Sequence, residues 1–294
     1  MSWLFIFSSF FLLFLTSNTL HNSILLGLSY DLDSQNQSII QIDLKTNEMK
    51  EIATFPEAIY ALAEYSDMKK SQQTYLVAMD TWYFKNYDAY NGSCTSKFSI
   101  DYPSFMNTVF SINDNKAYCI VSDNTNFHIA SVDPVSQKMS ILMTLDSSLG
   151  VILNIKAFNT KTNDYYSLVD NGKPNSSLLI AHISSQTYDI IDLDIDVDGI
   201  IYSPQNDVLY GNNGDSIFTI DPNSGRSSLL INGLIGIPEM DSIALDPSNL
   251  IVYLARQDFE QVFVFGYDLK TKNQVFKMEI PFSFRFLSFF QGNN

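Results

Sequence analysis

Asn154, Asp198 and Asp241 are the residues whose types and spacing come nearest to a chemical site. Each stands four residues before the end of an alternating apolar stretch, at Phe158, Tyr202 and Leu245. The same position before Tyr65 and Phe110 is held by Ala61 and Met106. The three therefore break a repeat rather than follow it. An amide and two carboxylates converging on one space are hard oxygen donors of the kind that Ca²⁺ gathers. Asp196 and Glu239 lie two residues upstream and could add oxygens. The same pattern also suits an acidic rim open to solvent, and register alone leaves both readings standing.

Other chemistry has little to draw on. His21, His128 and His182 fall in different parts of different repeats, whereas a zinc site or a hydroxyl–His–Asp relay needs such groups to converge. Cys94 and Cys119 are the two cysteines. They are too few for a disulfide framework, but one bridge between adjacent repeats is expected in an oxidising compartment. Asn-x-Ser sequons at Asn36, Asn91 and Asn175 sit in the turn-like stretches DSQNQS, YNGS and GKPNSS, where a glycan could be carried. Asp31, Asp80, Asp123, Asp170, Asp215 and Asp258 recur just past strand-like segments. An acid repeated in this way is best read as turn chemistry, accepting from backbone N–H groups two residues on.

The elements that carry these residues repeat. A strand, an acid-led turn and another strand recur as QIDLKTNEM, SVDPVSQKM, TIDPNSGRS and GYDLKTKNQ. A second phrase, a polar turn followed by a Tyr-bearing strand, interleaves with it as AFNTKTNDYYSLV, IYSPQNDVLYG and ALDPSNLIVYLA. Both have a period of about 45 residues, the length of a four-stranded propeller blade. Blades are expected from about Ala58 to Ile100, Met106 to Leu145, Val151 to Leu193, Asp198 to Ile231 and Asp241 to Ile280. Ahead of them, SILLGLSYD, SIIQID and EMKEIATF supply three strands of a first blade that lacks its innermost one. The unassigned FSFRFLSFF at the other end fits the vacancy and would remove an exposed strand edge. The expected fold is all-β, a six-bladed β-propeller of four-stranded antiparallel blades closed by the C-terminal strand. Apolar positions alternate with period two, as in SIFTI and QVFVF, so no helix is expected.

Residues 3–15 form an apolar run too short to span a bilayer and of signal-peptide length, followed by small polar residues. The expectation is a signal peptide over 1–19, a propeller over 20–294, and a secreted or secretory-pathway location without a later membrane span. The net charge of −15 makes nucleic acid a poor partner.

DSIALDPSNLIVYLA with its following strand and DLKTK resembles the blades of the broad TolB-like group of six-bladed propellers, which includes the YWTD, NHL and gluconolactonase types. The resemblance covers the chain from residue 20 by repeat pattern. No YWTD tetrad occurs, and only Leu209-Tyr210 and Val252-Tyr253 keep its apolar–Tyr core. In gluconolactonase-type propellers Glu, Asn and Asp at the channel mouth hold a catalytic divalent cation. Asn154, Asp198 and Asp241 resemble part of that set, while Glu57 lies out of register for the rest. The first functional expectation is a binding protein without catalysis, with a protein or small-molecule ligand on a disc face. The alternative is a cation-dependent hydrolase of the lactonase type, with Ca²⁺ as the cation that the resemblance implies.

Overall fold

A computed structural model describes residues 23–30, 37–55, 61–66, 74–79, 83–88, 93–99, 104–111, 116–123, 125–133, 135–258, 261–281 and 283–291. The expected signal peptide, Asn36, Asn91, Asp31, Asp80 and Glu57 lie outside them, as do the side chains of Asn154 and Asp241.

The chain is a β-propeller built as six four-stranded antiparallel sheets. In chain order the first sheet holds β1 (Ser23–Tyr30), β2 (Gln37–Asp43) and β3 (Glu48–Phe55). The next holds β4 (Ala61–Ser66), β5 (Thr74–Met79), β6 (Tyr83–Asp88) and β7 (Cys94–Ser99). Then come β8 (Ser104–Ser111), β9 (Lys116–Ser122), β10 (Phe127–Asp133) and β11 (Lys138–Leu145). The fourth sheet is β12 (Val151–Asn159), β13 (Asp164–Asp170), β14 (Ser177–His182) and β15 (Thr187–Asp192). The fifth is β16 (Gly199–Ser203), β17 (Val208–Asn212), β18 (Ser216–Ile220) and β19 (Ser227–Asn232). The sixth is β20 (Ile237–Asp246), β21 (Ile251–Asp258), β22 (Gln261–Asp268) and β23 (Asn273–Ile280). The last strand, β24 (Ser283–Gln291), returns to the first sheet and pairs antiparallel with β1, from Ser23 opposite Gln291 to Tyr30 opposite Ser283. The first strands of successive sheets touch in cyclic order, β24 to β4, β8, β12, β16, β20 and back to β24. Among the described residues there is no α-helix, only a 3-10 turn at Ser147–Leu149 whose Ser148 N–H donates to Asp146 Oδ1 at 2.8 Å.

The sheets stack face to face, so the middle strands are covered on both sides and the outermost on one. Strands β9, β10, β13 and β22 are accordingly buried almost throughout, whereas β11, β15, β19 and β23 are largely exposed along the outer rim. Between the fourth and fifth sheets, Leu168, Leu178 and Ile180 pack against Ile200, Leu209 and Phe218. Between the sixth sheet and the first, Tyr253, Ala255 and Val264 meet Leu25, Ile42 and Leu287.

The acid-led turns have one construction. Asp43 Oδ1 accepts from the N–H groups of Lys45 and Thr46 at 2.8 and 3.0 Å, and Asp133, Asp246 and Asp268 bind their own loops the same way. The residue four places on turns left-handed, as at Asn47 (φ 59°) and Lys272 (φ 60°), and its N–H closes the turn on the first residue's carbonyl. A short side chain that satisfies backbone donors is what such a tight hairpin requires. Within the expected hairpin acids, Asp123 and Asp170 also act as turn acceptors.

Besides β24, whose pairing with β1 shifts between Leu26 and Leu28, three first strands depart from regular pairing. Register shifts lie between Met106 and Thr108 in β8, Ile152 and Lys156 in β12, and Pro238 and Ile243 in β20. The Ser167 hydroxyl donates to the carbonyls of Ile155 (2.9 Å) and Leu153 (3.4 Å), holding the second of these bulges. Because of the third, the sixth sheet opens at Ile237, four residues ahead of the expected start at Asp241.

The expected Cys94–Cys119 disulfide is not formed. Cys119 is fully buried in the middle of β9, with its Sγ 3.6 Å from the Ala130 carbonyl of its own sheet, while Cys94 opens an outer, exposed strand. Burial pushes the Cys119 thiol far above its ordinary value. A thiol reagent is therefore expected to modify Cys94 in the native protein and Cys119 only after unfolding. Two fast-reacting thiols, or none, would contradict this placement.

Candidate functional site

The antiparallel pairing sorts the loops into two sets. Turns between the first and second, and the third and fourth, strands of each sheet share one face of the disc. Turns between second and third strands share the other face with the connections to the next sheet.

On that second face lie the backbone positions of the expected oxygen cluster, of which Asp198 alone has a described side chain. Asp198 stands just before β16 at an exposed bend, and its N–H donates to the Asn212 carbonyl at 2.8 Å. Asn154 and Asp241 belong to β12 and β20, within the shifted segments 153–155 and 239–242. The period-two count that aligned all three from the strand ends does not pass through a bulge unchanged, since each extra residue re-aims its neighbours. Among the described residues, no group of three or more His, Cys, Asp or Glu is placed to hold a metal ion.

What stands beneath Asp198 is a cation of the chain's own. Arg256, on β21, is completely buried. Its Nε donates to the Ile235 carbonyl at 2.7 Å, Nη1 to Asn213 at 3.5 Å, and Nη2 to both Gly214 and Gly236. The guanidinium thus ties the β17–β18 hairpin of the fifth sheet to the connection entering the sixth. Gly236 permits this approach: its φ is +81°, and a Cβ there would lie 2.5 Å from the Gln257 carbonyl. Desolvation pushes the Asp198 carboxyl above the usual range and Asp196 adds to the rise, against the opposing pull of Arg256. Desolvation lowers Arg256 in turn, opposed by Tyr267, Asp198 and Asp215. Nearby, the Asn212 Oδ1 is buried without a hydrogen-bond partner, 2.5 Å from where a side chain on Gly199 would begin. Periodicity gave no sign of Arg256, because a charged residue within the apolar run of a covered strand reads as an exception. A lone Arg in such a run was the available signal.

The other face holds a groove of 1040 Å³ between the fourth and fifth sheets. Asn159, Asp164, Tyr202, Asp207, Asp221 and Arg226 line it. Its acids are already engaged. Tyr202 donates to Asp207 Oδ1 at 2.6 Å, and Asp221 Oδ2 accepts from the Ser224 hydroxyl at 2.5 Å. Asp164 Oδ1 meets His182 Nδ1 at 2.8 Å, and Asp189 Oδ2 lies 3.1 Å from His182 Nε2. The hydrogen bond to Asp164 raises the His182 pKa, with Asp189 adding to it. His128 is the buried core of a separate pairing, with Asp123 Oδ2 at 3.1 Å and Thr144 Oγ1 at 2.9 Å. Both histidines are tied to their own sheets rather than to one another. Lys156, at the end of the β12 bulge, is pushed down to about 7 by burial; its position was not singled out by sequence.

Asn175 is half-buried, and its Nδ2 donates to the Leu193 carbonyl at 3.2 Å. A glycosylated amide nitrogen retains one N–H, so this bond and a glycan are compatible. Among the described residues, no helix is long and apolar enough to cross a membrane.

No protein-family model matches the chain, and no curated protein matches it in sequence. Solved structures do match in fold. TolB from Acinetobacter baumannii superposes with a TM-score of 0.67 at 10% identity, over 91% of this chain and 66% of the TolB chain. This chain therefore spans slightly less than two thirds of TolB's length. A chain of the nidogen/laminin complex superposes with a TM-score of 0.68 at 15% identity, over 91% of this chain and 98% of that one.

Proposed function

We propose that this is a secreted, glycosylated binding protein, a six-bladed propeller that presents a disc face to another protein. A count of six rests on the six sheets and the cyclic contact of their first strands. The observation that carries the functional reading is that Arg256 beside the channel mouth and Asp164, Asp207 and Asp221 in the groove are already paired within the chain. Such groups brace a rigid scaffold. A catalyst instead needs donors and acceptors held ready for a substrate. The nidogen/laminin neighbour adds a precedent for this architecture in a protein–protein complex.

The hydrolase alternative draws on one observation, the raised Asp198 carboxyl beside Asp196, which a divalent cation would relieve. Arg256 already supplies positive charge there. Adding Ca²⁺ to the purified protein is therefore expected to leave its melting temperature and its activity on a simple lactone unchanged. Binding at a hundredfold excess over Kd would stabilise by about 2.7 kcal/mol. A rise of that size together with lactone turnover would replace the binding reading with the hydrolase. N-terminal sequencing of material secreted by a eukaryotic host is expected to begin near residue 20, and endoglycosidase treatment to lower its mass. Retention in the cytosol would sink the secretory assignment.

A further inference from the structure

The two faces of the disc differ in charge and in exposed apolar surface. On the face that carries the mouth near Asp198, the described turns hold Asp123, Asp146, Asp170, Asp194, Asp196 and Asp215 as exposed carboxylates, with Asp198 beside them. Among the described residues of those turns Lys173 is the one exposed cation, and it is spent on Asp192, with Nζ 2.5 Å from Oδ1. The opposite face is mixed, with Lys45, Lys138, Lys161, Arg226, Lys270 and Lys272 set among its turn acids. Apolar exposure falls unevenly too. Met49, Ile141, Leu229 and Val275 lie on the outermost strands, where one side meets solvent in any case. Val151 and Ile237 open the first strands β12 and β20, and Ile235 precedes β20 in the connection that Arg256 clamps. Their exposures are 63%, 73% and 47%. First strands are the ones that contact one another around the ring, so Val151 and Ile237 stand at the channel mouth, amid the carboxylates, and Ile235 lies two residues before Ile237 in the connection that leads there.

We propose that this face is the docking surface, and that its partner is a protein segment bearing an apolar side chain flanked by Lys or Arg. The inference rests on the binding-protein reading and specifies its surface. Exposed apolar side chains around a mouth supply the desolvated centre that concentrates binding energy. A ring of carboxylates around them steers basic partners and repels acidic ones. The segment 235–236 is fixed from below by the Arg256 guanidinium, so Ile235 and Ile237 are presented with little ordering left to lose on binding.

The test is a random-peptide display selection on the immobilised full-length protein, followed by affinity measurements with the synthesised winners. Enriched peptides are expected to be basic with an embedded Leu, Phe or Ile, and their affinity to fall with added salt. Ile237→Asp and Val151→Asp should each weaken binding at least about tenfold. Val135→Asp, at an equally exposed valine on the opposite face, should leave it unchanged. The melting temperatures of all three variants check that each remains folded. Enriched peptides that are neutral or acidic would overturn the proposal. So would basic peptides whose binding ignores Ile237→Asp and Val151→Asp but falls with Val135→Asp, although the binding-protein reading would then survive. Failure to enrich any peptide would count against both.

Discussion

A protein lacking residues 282–294 is expected not to fold to a soluble, cooperatively melting state. Strand β24 lies between β1 and the first strands of its two neighbouring sheets, β20 and β4. Leu287 is buried within the core shared by the sixth and first sheets, and the Phe289 ring stacks on Tyr253 with centroids 6.0 Å apart. Deleting the strand uncovers β1, where Leu25, Leu26 and Leu28 are 0%, 1% and 4% exposed. Each large apolar side chain returned to water costs roughly 1.5–3 kcal/mol. Several together approach the whole stability of a typical domain, about 5–15 kcal/mol. The deletion also leaves the β1 edge unpaired, a template for aggregation. Soluble yield and a thermal melt followed by circular dichroism decide the matter. A truncated protein that melts cooperatively near the full-length value would mean that β24 is dispensable to the ring.

Arg256→Met carries the next largest effect. A buried ion pair can often be replaced by apolar residues at little cost, because both charges leave together. Here the partners are backbone carbonyls, which stay when the guanidinium goes. Those of Ile235, Asn213, Gly214 and Gly236 would lose a shared donor, and unpaired buried acceptors cost about 1–3 kcal/mol each. Water can reach some of them in these surface connections, so a loss of roughly 3–5 kcal/mol is expected, or about 8–15 °C in melting temperature. Arg256→Lys should recover little of it, since a compact ammonium cannot reach four carbonyls in the planar fork that a guanidinium offers. A methionine variant melting within a degree or two of the parent would show that the clamp is incidental.

The sequence by itself determined the all-β propeller class, the segmentation into repeats and the pairing of the chain's two ends. It could do so because each relies on local and periodic physics. The acid-led turns at Asp43, Asp133 and Asp268 are satisfied by their own next residues. Alternation, or its loss in doubly covered strands such as β13, follows from which side of a sheet meets a neighbour. The leftover FSFRFLSFF pairs with β1 because a sheet one strand short presents hydrogen-bonding groups that another strand must satisfy.

Only the tertiary structure decided what lies around the mouth. Counting back from Phe158, Tyr202 and Leu245 assumes unbroken strands, and β12 and β20 are bulged between those residues and Asn154 and Asp241. A bulge depends on what the neighbouring strand and sheet accommodate, as Ser167 does for residues 153 and 155, and no local pattern marks it. Cys94 and Cys119 are neighbours by blade order alone; the depth of Cys119 within β9 is set by packing. Arg256 gains its role from carbonyls 20–43 residues away in the chain. A contact of that range becomes legible only when two sheets are set side by side.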